Sequence, residues 1–183
     1  MYITELRDIS NVEEPEVELI GDMIADCAYE ATQAGFNETT EIATANGFEK
    51  VYKHTSTGDN IHGMLFSGLN LDNYTTVTFA IKTAQMKMNA NGSNTSNEWL
   101  VFTLTQVSPD KWDVVVTCNG NVVHEEHGLN GAYNSAANPN YSDNALDAIL
   151  YGNPSGFCPQ SVNGNLTVYV TELRGVPADV NPQ

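Results

Sequence analysis

Three segments of this chain alternate apolar and polar residues with a period of two, and that period confines them to strands. Between residues 75 and 85, Val77, Phe79 and Ile81 alternate with Thr76, Thr78 and Lys82. Between residues 99 and 106, Leu100, Phe102 and Leu104 alternate with Trp99, Thr103 and Thr105. Up to Cys118, Trp112, Val114 and Val116 alternate with Asp113, Val115 and Thr117. Successive side chains of a strand point to opposite faces, so each segment buries one face and shows the other. Asn119-Gly120 follows the third segment and suits a two-residue hairpin turn, with Val122-Val123 starting the return strand. Residues 166–174 read as a closing strand, and shorter strands are expected near 27–31, 48–53 and 62–66. The best helical signal is Ser142-Asp143 as a cap, Leu146, Ile149 and Leu150 on one face, and Gly152 as a stop. Residues 89–97 read as a polar loop. Many short strands joined by Asn, Gly and Ser turns predict an all-β fold, a β-sandwich (jelly roll) of two antiparallel sheets with at most one short helix.

The chain has 183 residues, enough for one domain with a substantial core. One internal echo stands out. Tyr2-Ile3-Thr4-Glu5-Leu6-Arg7-Asp8-Ile9 matches Tyr169-Val170-Thr171-Glu172-Leu173-Arg174-Gly175-Val176, with five of eight positions identical and two Ile/Val exchanges. The second copy ends the closing strand and precedes Pro177 and Pro182; the first precedes Asn11-Val12-Glu13-Glu14-Pro15. A chance match of a strand-favouring octamer is one explanation. The more economical one is a tandem array, with residues 1–15 the tail of a preceding, related module or a linker, 16–176 the β-sandwich binding module, and 177–183 a C-terminal linker. Linked weak sites suit a repetitive target.

Charge narrows the partners. With 23 acidic and 7 basic residues the net charge is -16, a surface that repels nucleic acid and anionic membranes. It suits a neutral partner, a cation or a basic protein, and acidity also serves solubility alone. No apolar run reaches the roughly 18 residues of a membrane span, so membrane insertion is not expected. Met1-Tyr2-Ile3-Thr4-Glu5-Leu6-Arg7 lacks the basic start and apolar stretch of a signal peptide, as expected of a mature or excised fragment. Cys27, Cys118 and Cys158 have no metal spacing; they read as small buried residues, or as one disulfide whose pair the sequence does not choose.

The layout resembles the jelly-roll carbohydrate-binding modules of secreted bacterial polysaccharide-degrading or polysaccharide-attaching proteins. The resemblance is architectural and is carried by Gly63-Met64-Leu65-Phe66, by residues 71–79, by Trp99-Leu100-Val101-Phe102 and by residues 166–175. It implies a secreted or cell-surface location and a polysaccharide or oligosaccharide partner, alongside neighbouring modules of the same chain. It requires no cofactor, though such modules often carry a structural calcium, a hard cation for which Asp22, Asp26 and Asp72-Asn73 supply oxygens.

Other chemistry fits less well. His124-Glu125-Glu126-His127 has its histidines three apart on a hairpin strand, so His124 and Glu126 point one way and Glu125 and His127 the other. No two-histidine metal site forms, and all four read as solvated; His54 and His62 have no stronger claim. Glycoside hydrolysis needs two carboxyls about 5–10 Å apart, and no pair on one strand face over an aromatic bed offers that. Six Asn-X-Ser/Thr sequons occur, at Asn37, Asn73, Asn91, Asn94, Asn140 and Asn165; they matter only where the source glycosylates them.

The candidate ligand-binding residues are Trp99, Tyr169, Lys82, Tyr133 and Tyr141. Alternation puts Trp99 on the face opposite Leu100, Phe102 and Leu104, with Thr103 and Thr105. It likewise turns Thr167, Tyr169 and Thr171 outward, as it does Lys82. Aromatic rings among Thr and Lys suit a pyranose, whose C–H face packs on the ring while its hydroxyls take hydrogen bonds. The structural alternative is a half-buried Trp99 under a loop or the short helix. Trp112 shares parity with Val114 and Val116 and reads as core. The loop from Gly131 to Tyr141 sets Tyr133 and Tyr141 among small polar residues, a mix that suits recognition or pins the loop to the body. These readings favour a non-catalytic glycan-binding module over a structural or protein-docking module of a surface array, and over a polysaccharide-cleaving jelly roll.

Overall fold

In a computed structural model the chain is described at residues 17–25, 39–45, 48–57, 71–88, 93–130, 157–160 and 162–178. The strands are β1 (Asp22–Ala25), β2 (Thr39–Ala45), β3 (Phe48–Thr57), β4 (Tyr74–Thr83), β5 (Met86–Met88), β6 (Ser93–Asn94), β7 (Trp99–Ser108), β8 (Lys111–Cys118), β9 (Asn121–Asn130), β10 (Phe157–Pro159), β11 (Asn165–Val170) and β12 (Leu173–Pro177). A single 3-10 turn, Leu71–Asn73, leads into β4. There is no α-helix among the described residues, and the chain there is all-β with every strand pair antiparallel. The expected helix at 142–152, the strands near 27–31 and 62–66, and residues 1–9 lie outside the described residues.

The large sheet runs β2-β3-β11-β4-β7-β8-β9. Its β4-β7-β8-β9 part is the meander the alternation predicts. Phe79 pairs with Phe102, and Phe102 with Val116, so three apolar ladders meet on one face. Asn119 and Gly120 turn between β8 and β9 with φ of 50° and 75°, the left-handed pair that Asn-Gly supplies cheaply. Asn163-Gly164 repeats this geometry at the entrance to β11, with φ of 54° and 73°.

The predicted closing strand is two strands. β11 meets β4 in the register Val168↔Thr83, Tyr169↔Lys82 and Val170↔Ile81, whereas β12 meets it as Arg174↔Thr78 and Gly175↔Val77. The register slips by one, so Thr171 and Glu172 both oppose Ala80. This is a β-bulge. The Thr171 N–H donates to the Ala80 carbonyl at 3.1 Å, and the Thr171 hydroxyl accepts the Ala80 N–H at 2.9 Å. Thr171, expected to point outward to solvent, is instead fully buried, because its hydroxyl stands in for the carbonyl the bulge displaces. Beyond the bulge the sheet forks: β3 flanks β11, and β1 flanks β12.

The main core lies on one face. Val77, Phe79, Ile81, Leu100, Phe102, Leu104, Trp112, Val114, Val116, Leu166, Val168, Val170 and Leu173 all belong to it. Trp112 is fully buried there, as its parity predicts. Phe79 and Phe102 stack at 5.1 Å, and Phe157 meets Phe102 edge-on at 5.7 Å. Phe157 comes from a separate three-stranded sheet, β10-β5-β6, which also gives Met86 and Met88 to this core.

The opposite face is covered in part. Val17 and Leu19 pack against Val51, Ala80 and Trp99. The Thr78 hydroxyl accepts the Ile20 N–H at 2.8 Å and donates to the Ile20 carbonyl at 3.0 Å. The chain then passes through Gly21, at φ +96°, where a Cβ would lie 2.4 Å from the Gly175 backbone. Only glycine allows both that conformation and that approach.

Replacing the Thr171 hydroxyl by a methyl leaves the Ala80 N–H buried without its acceptor, which costs about 1–3 kcal/mol. Thr171→Val should therefore lower the urea midpoint at unchanged slope, whereas Thr171→Ser should stay near wild type. Equal stability of the Val and wild-type proteins would remove the hydroxyl from the bulge's support.

Candidate functional site

Cross-strand register assembles one polar row on the partly covered face. Glu41 pairs with Lys53, Lys53 with Tyr169, Tyr169 with Lys82, and Lys82 with Trp99. The next row toward the β11 entrance is Thr39, Thr55 and Thr167. The row on the other side carries Ala43 and Val51 in β2 and β3, and Ala80 and Val101 in β4 and β7. Directly opposed residues have Cβ atoms about 4.5–5.5 Å apart, so Lys53 and Lys82 flank the Tyr169 ring on both sides. All three side chains are half-buried, and Thr167 is exposed.

The structure thus brings together three of the five sequence-predicted residues, Trp99, Lys82 and Tyr169. Tyr133 and Tyr141 lie outside the described residues. Trp99 needs a correction. Its parity is as expected, on the face of Ala80, Val101 and Tyr169, but it is 5% exposed rather than open to solvent. Val17 and Leu19 cover that region. The signal was present in the sequence as Glu16-Val17-Glu18-Leu19, an apolar/polar alternation upstream of the first predicted strand. Lys53 was not singled out, because Val51 and Tyr52 are adjacent and break the alternation around it.

The β8–β9 hairpin holds a second cluster. Register slips between Trp112 and Val114, so His127 and Gly128 both oppose Asp113. Asp113 binds both: its Oδ1 accepts the Gly128 N–H at 2.8 Å, and its Oδ2 lies 2.9 Å from His127 Nδ1. Glu125 Oε1 lies 3.2 Å from Nε2 on the far side of the same ring. The carboxylates are strung along the imidazole and do not converge on a point. Among the described residues no three His, Cys, Asp or Glu side chains are placed to hold a metal ion. Of the proposed calcium oxygens, Asp22 opens β1 and Asn73 ends the 3-10 turn, while Asp26 lies outside the described residues.

His124 and Glu126 do point away from Glu125 and His127. His124, however, is not solvated: its ring sits edge-on to Phe157 at 5.2 Å, with a side chain 8% exposed. The reason is β10, which places Phe157 over that end of the core face. Cys118 is a half-buried free thiol whose Sγ lies 3.9 Å from Ser96 Oγ. No helix among the described residues is long and apolar enough to cross a membrane. Comparison with protein-family models, with curated proteins and with solved structures finds no match in any of the three.

Two outcomes are expected. Trp99→Ala should destabilise the fold by about 3–5 kcal/mol, as truncating a buried aromatic does; an unchanged melting temperature would contradict its burial. In the hairpin, donating its Nδ1 hydrogen to the Asp113 carboxylate raises the His127 pKa, and accepting hydrogen bonds from His127 and Gly128 lowers that of Asp113. A raised histidine pKa stabilises fully below its unfolded value near 6.5 and fades as pH rises through the folded value; a lowered aspartate pKa stabilises above its unfolded value near 3.9 and fades as pH falls through the folded one. The melting-temperature gap between wild type and His127→Gln should be widest between about pH 4 and pH 6.5 and shrink above neutrality. A gap that does not vary with pH would remove the charged pair from the hairpin's stability.

Proposed function

We propose that this chain is a non-catalytic carbohydrate-binding module of the β-sandwich (jelly-roll) type that targets a secreted or cell-surface protein to a polysaccharide. The observation that carries the reading is the row Lys53, Tyr169, Lys82, in register across three strands and bordered by Thr55 and Thr167. The part of the half-buried Tyr169 left open would pack against a pyranose, and the ammonium and hydroxyl groups beside it suit sugar hydroxyls. Trp99 then supports Tyr169 from within the same cluster and does not itself stack on the ligand.

Further observations support the architecture. The β10-β5-β6 sheet lays Met86, Met88 and Phe157 on the large sheet's core, as the second layer of a sandwich would. The tandem reading gains from the work done by the second octamer copy: Val170 and Leu173 enter the core, Thr171 holds the bulge, and Glu172 accepts from Arg174 Nε at 2.6 Å. Four of these five residues recur in the first copy as Thr4, Glu5, Leu6 and Arg7, and Val170 becomes Ile3. No cofactor enters the proposed binding step.

A second reading, a structural or protein-docking module of a surface array, is favoured by one observation, the burial of Trp99. Binding separates the two. Tyr169→Ala should weaken binding to the polysaccharide that a screen selects by roughly tenfold, the loss of one anchor at about 1.4 kcal/mol. Affinity electrophoresis of wild type beside the variant measures it, with circular dichroism reporting the fold. Unchanged binding by folded Tyr169→Ala moves the site off this face, and a screen without any binding polysaccharide gives first place to the docking module.

A further inference from the structure

The distribution of charge on this face is at odds with that of the chain. Acidic residues outnumber basic ones by 23 to 7, yet the two strand neighbours of Tyr169 are both lysines. Lys82 is the more telling of them. Its directly opposed partners are Tyr169 on one side and Trp99 on the other. No carboxylate therefore faces it across either flanking strand. Lys53 has Glu41 as its outer backbone partner, so the row's one acidic residue occupies the register position at the end away from Lys82.

A lysine set between two aromatic residues keeps its positive potential where a ring is available for stacking. Net charge opposes an anionic ligand at long range, but charges separated by more than about 8 Å are largely screened at physiological ionic strength. At contact, the nearest charged groups decide. On that basis, and resting on the glycan-binding reading above, we propose that the Lys53, Tyr169, Lys82 row takes an anionic polysaccharide, with the Tyr169 ring against a sugar face and the Lys82 ammonium on a carboxylate or sulfate of the same or the adjoining sugar. A lysine ammonium has three donors and no fixed plane, so it accepts either group. The hydroxyl of Thr167, exposed in the next row, adds a neutral polar contact.

The test compares charged polymers with neutral counterparts of the same backbone. Polygalacturonate and its methyl ester form one pair, and dextran sulfate and dextran the other. Affinity electrophoresis of the full chain should show retardation by the charged member of at least one pair and little by its neutral partner. Which pair responds separates carboxylate from sulfate. Lys82→Met keeps the apolar stem and removes the charge; it should weaken that binding at least about fivefold, the scale of losing one anchor. Lys82→Arg should restore most of it, and raising salt from about 0.05 to 0.5 M should weaken wild type more than the Met variant. Melting temperatures show that each variant is folded, and Lys53→Met serves as the second variant should Lys82→Met unfold. Binding to the neutral member that equals or exceeds binding to the charged one overturns the anionic assignment and leaves the glycan reading standing. Binding to charged polymers that is indifferent to both lysines also overturns it. No binding to any polysaccharide, these four or a wider screen, overturns both.

Discussion

The Thr171 hydroxyl accepts the N–H of Ala80, and the shape of the sheet follows from that bond. Without it, the extra residue between β11 and β12 would leave a buried donor at the centre of β4. With it, one long sequence segment serves as two strands of different register. The change of register lets β3 flank one half and β1 the other, so the sheet divides where a single hydroxyl permits. The close approach of Gly21 to Gly175 belongs to the same device, since a Cβ on Gly21 would lie 2.4 Å from the Gly175 backbone and hold β1 off β12. The Tyr74 ring sets the limit from the other side, 2.6 Å from where a Cβ on Gly175 would sit.

That fork also explains why β4 is buried on both faces. Phe79 and Ile81 face the main core, while Thr78 and Ala80 lie beneath the segment that carries Val17 and Leu19. On the second face Lys82, Tyr169 and Lys53 are half-buried, and Tyr169 packs into the same cluster as Val17 and Leu19. The candidate site is thus a border: one side is packed shut by aliphatic side chains, and the other runs out into the threonines of β3 and β11. Its aromatic ring is held from behind, which suits recognition better than a ring free to rotate, because less freedom is lost on binding.

Much of this architecture was legible in the sequence. Alternation assigned β4, β7 and β8 and the inward side of each, and Asn119-Gly120 fixed a hairpin with the expected backbone signs. Parity placed Trp99, Lys82 and Tyr169 on one face, although nothing local tells which strands lie side by side. The break at Thr171 was hidden because Tyr169 to Arg174 contains neither Gly nor Pro; a bulge held by a side-chain hydroxyl leaves no breaker to read. Exposure was misjudged for Trp99 and His124 for a shared reason: each is covered by a segment distant in sequence, Val17–Leu19 in one case and Phe157 in the other. Alternation reports which face a residue occupies and is silent on what lies over that face.

Bulges recur in β9, the last strand of the sheet's order among the described residues. Strand β9 carries two of them, where Val122 and Val123 oppose Thr117 and where His127 and Gly128 oppose Asp113; irregular edges of this kind resist adding a further strand. The far side of the sheet has a different vulnerability, and it lies in time. β1 has β12 as its partner, and the contact from Arg174 to Gly21 spans 153 positions. Closing so large a loop is slow compared with zipping the β7-β8-β9 meander, whose partners are neighbours in sequence. A chain emerging from a ribosome therefore presents β1, which contains Met23 and follows Ile20, unpaired until β12 has been made.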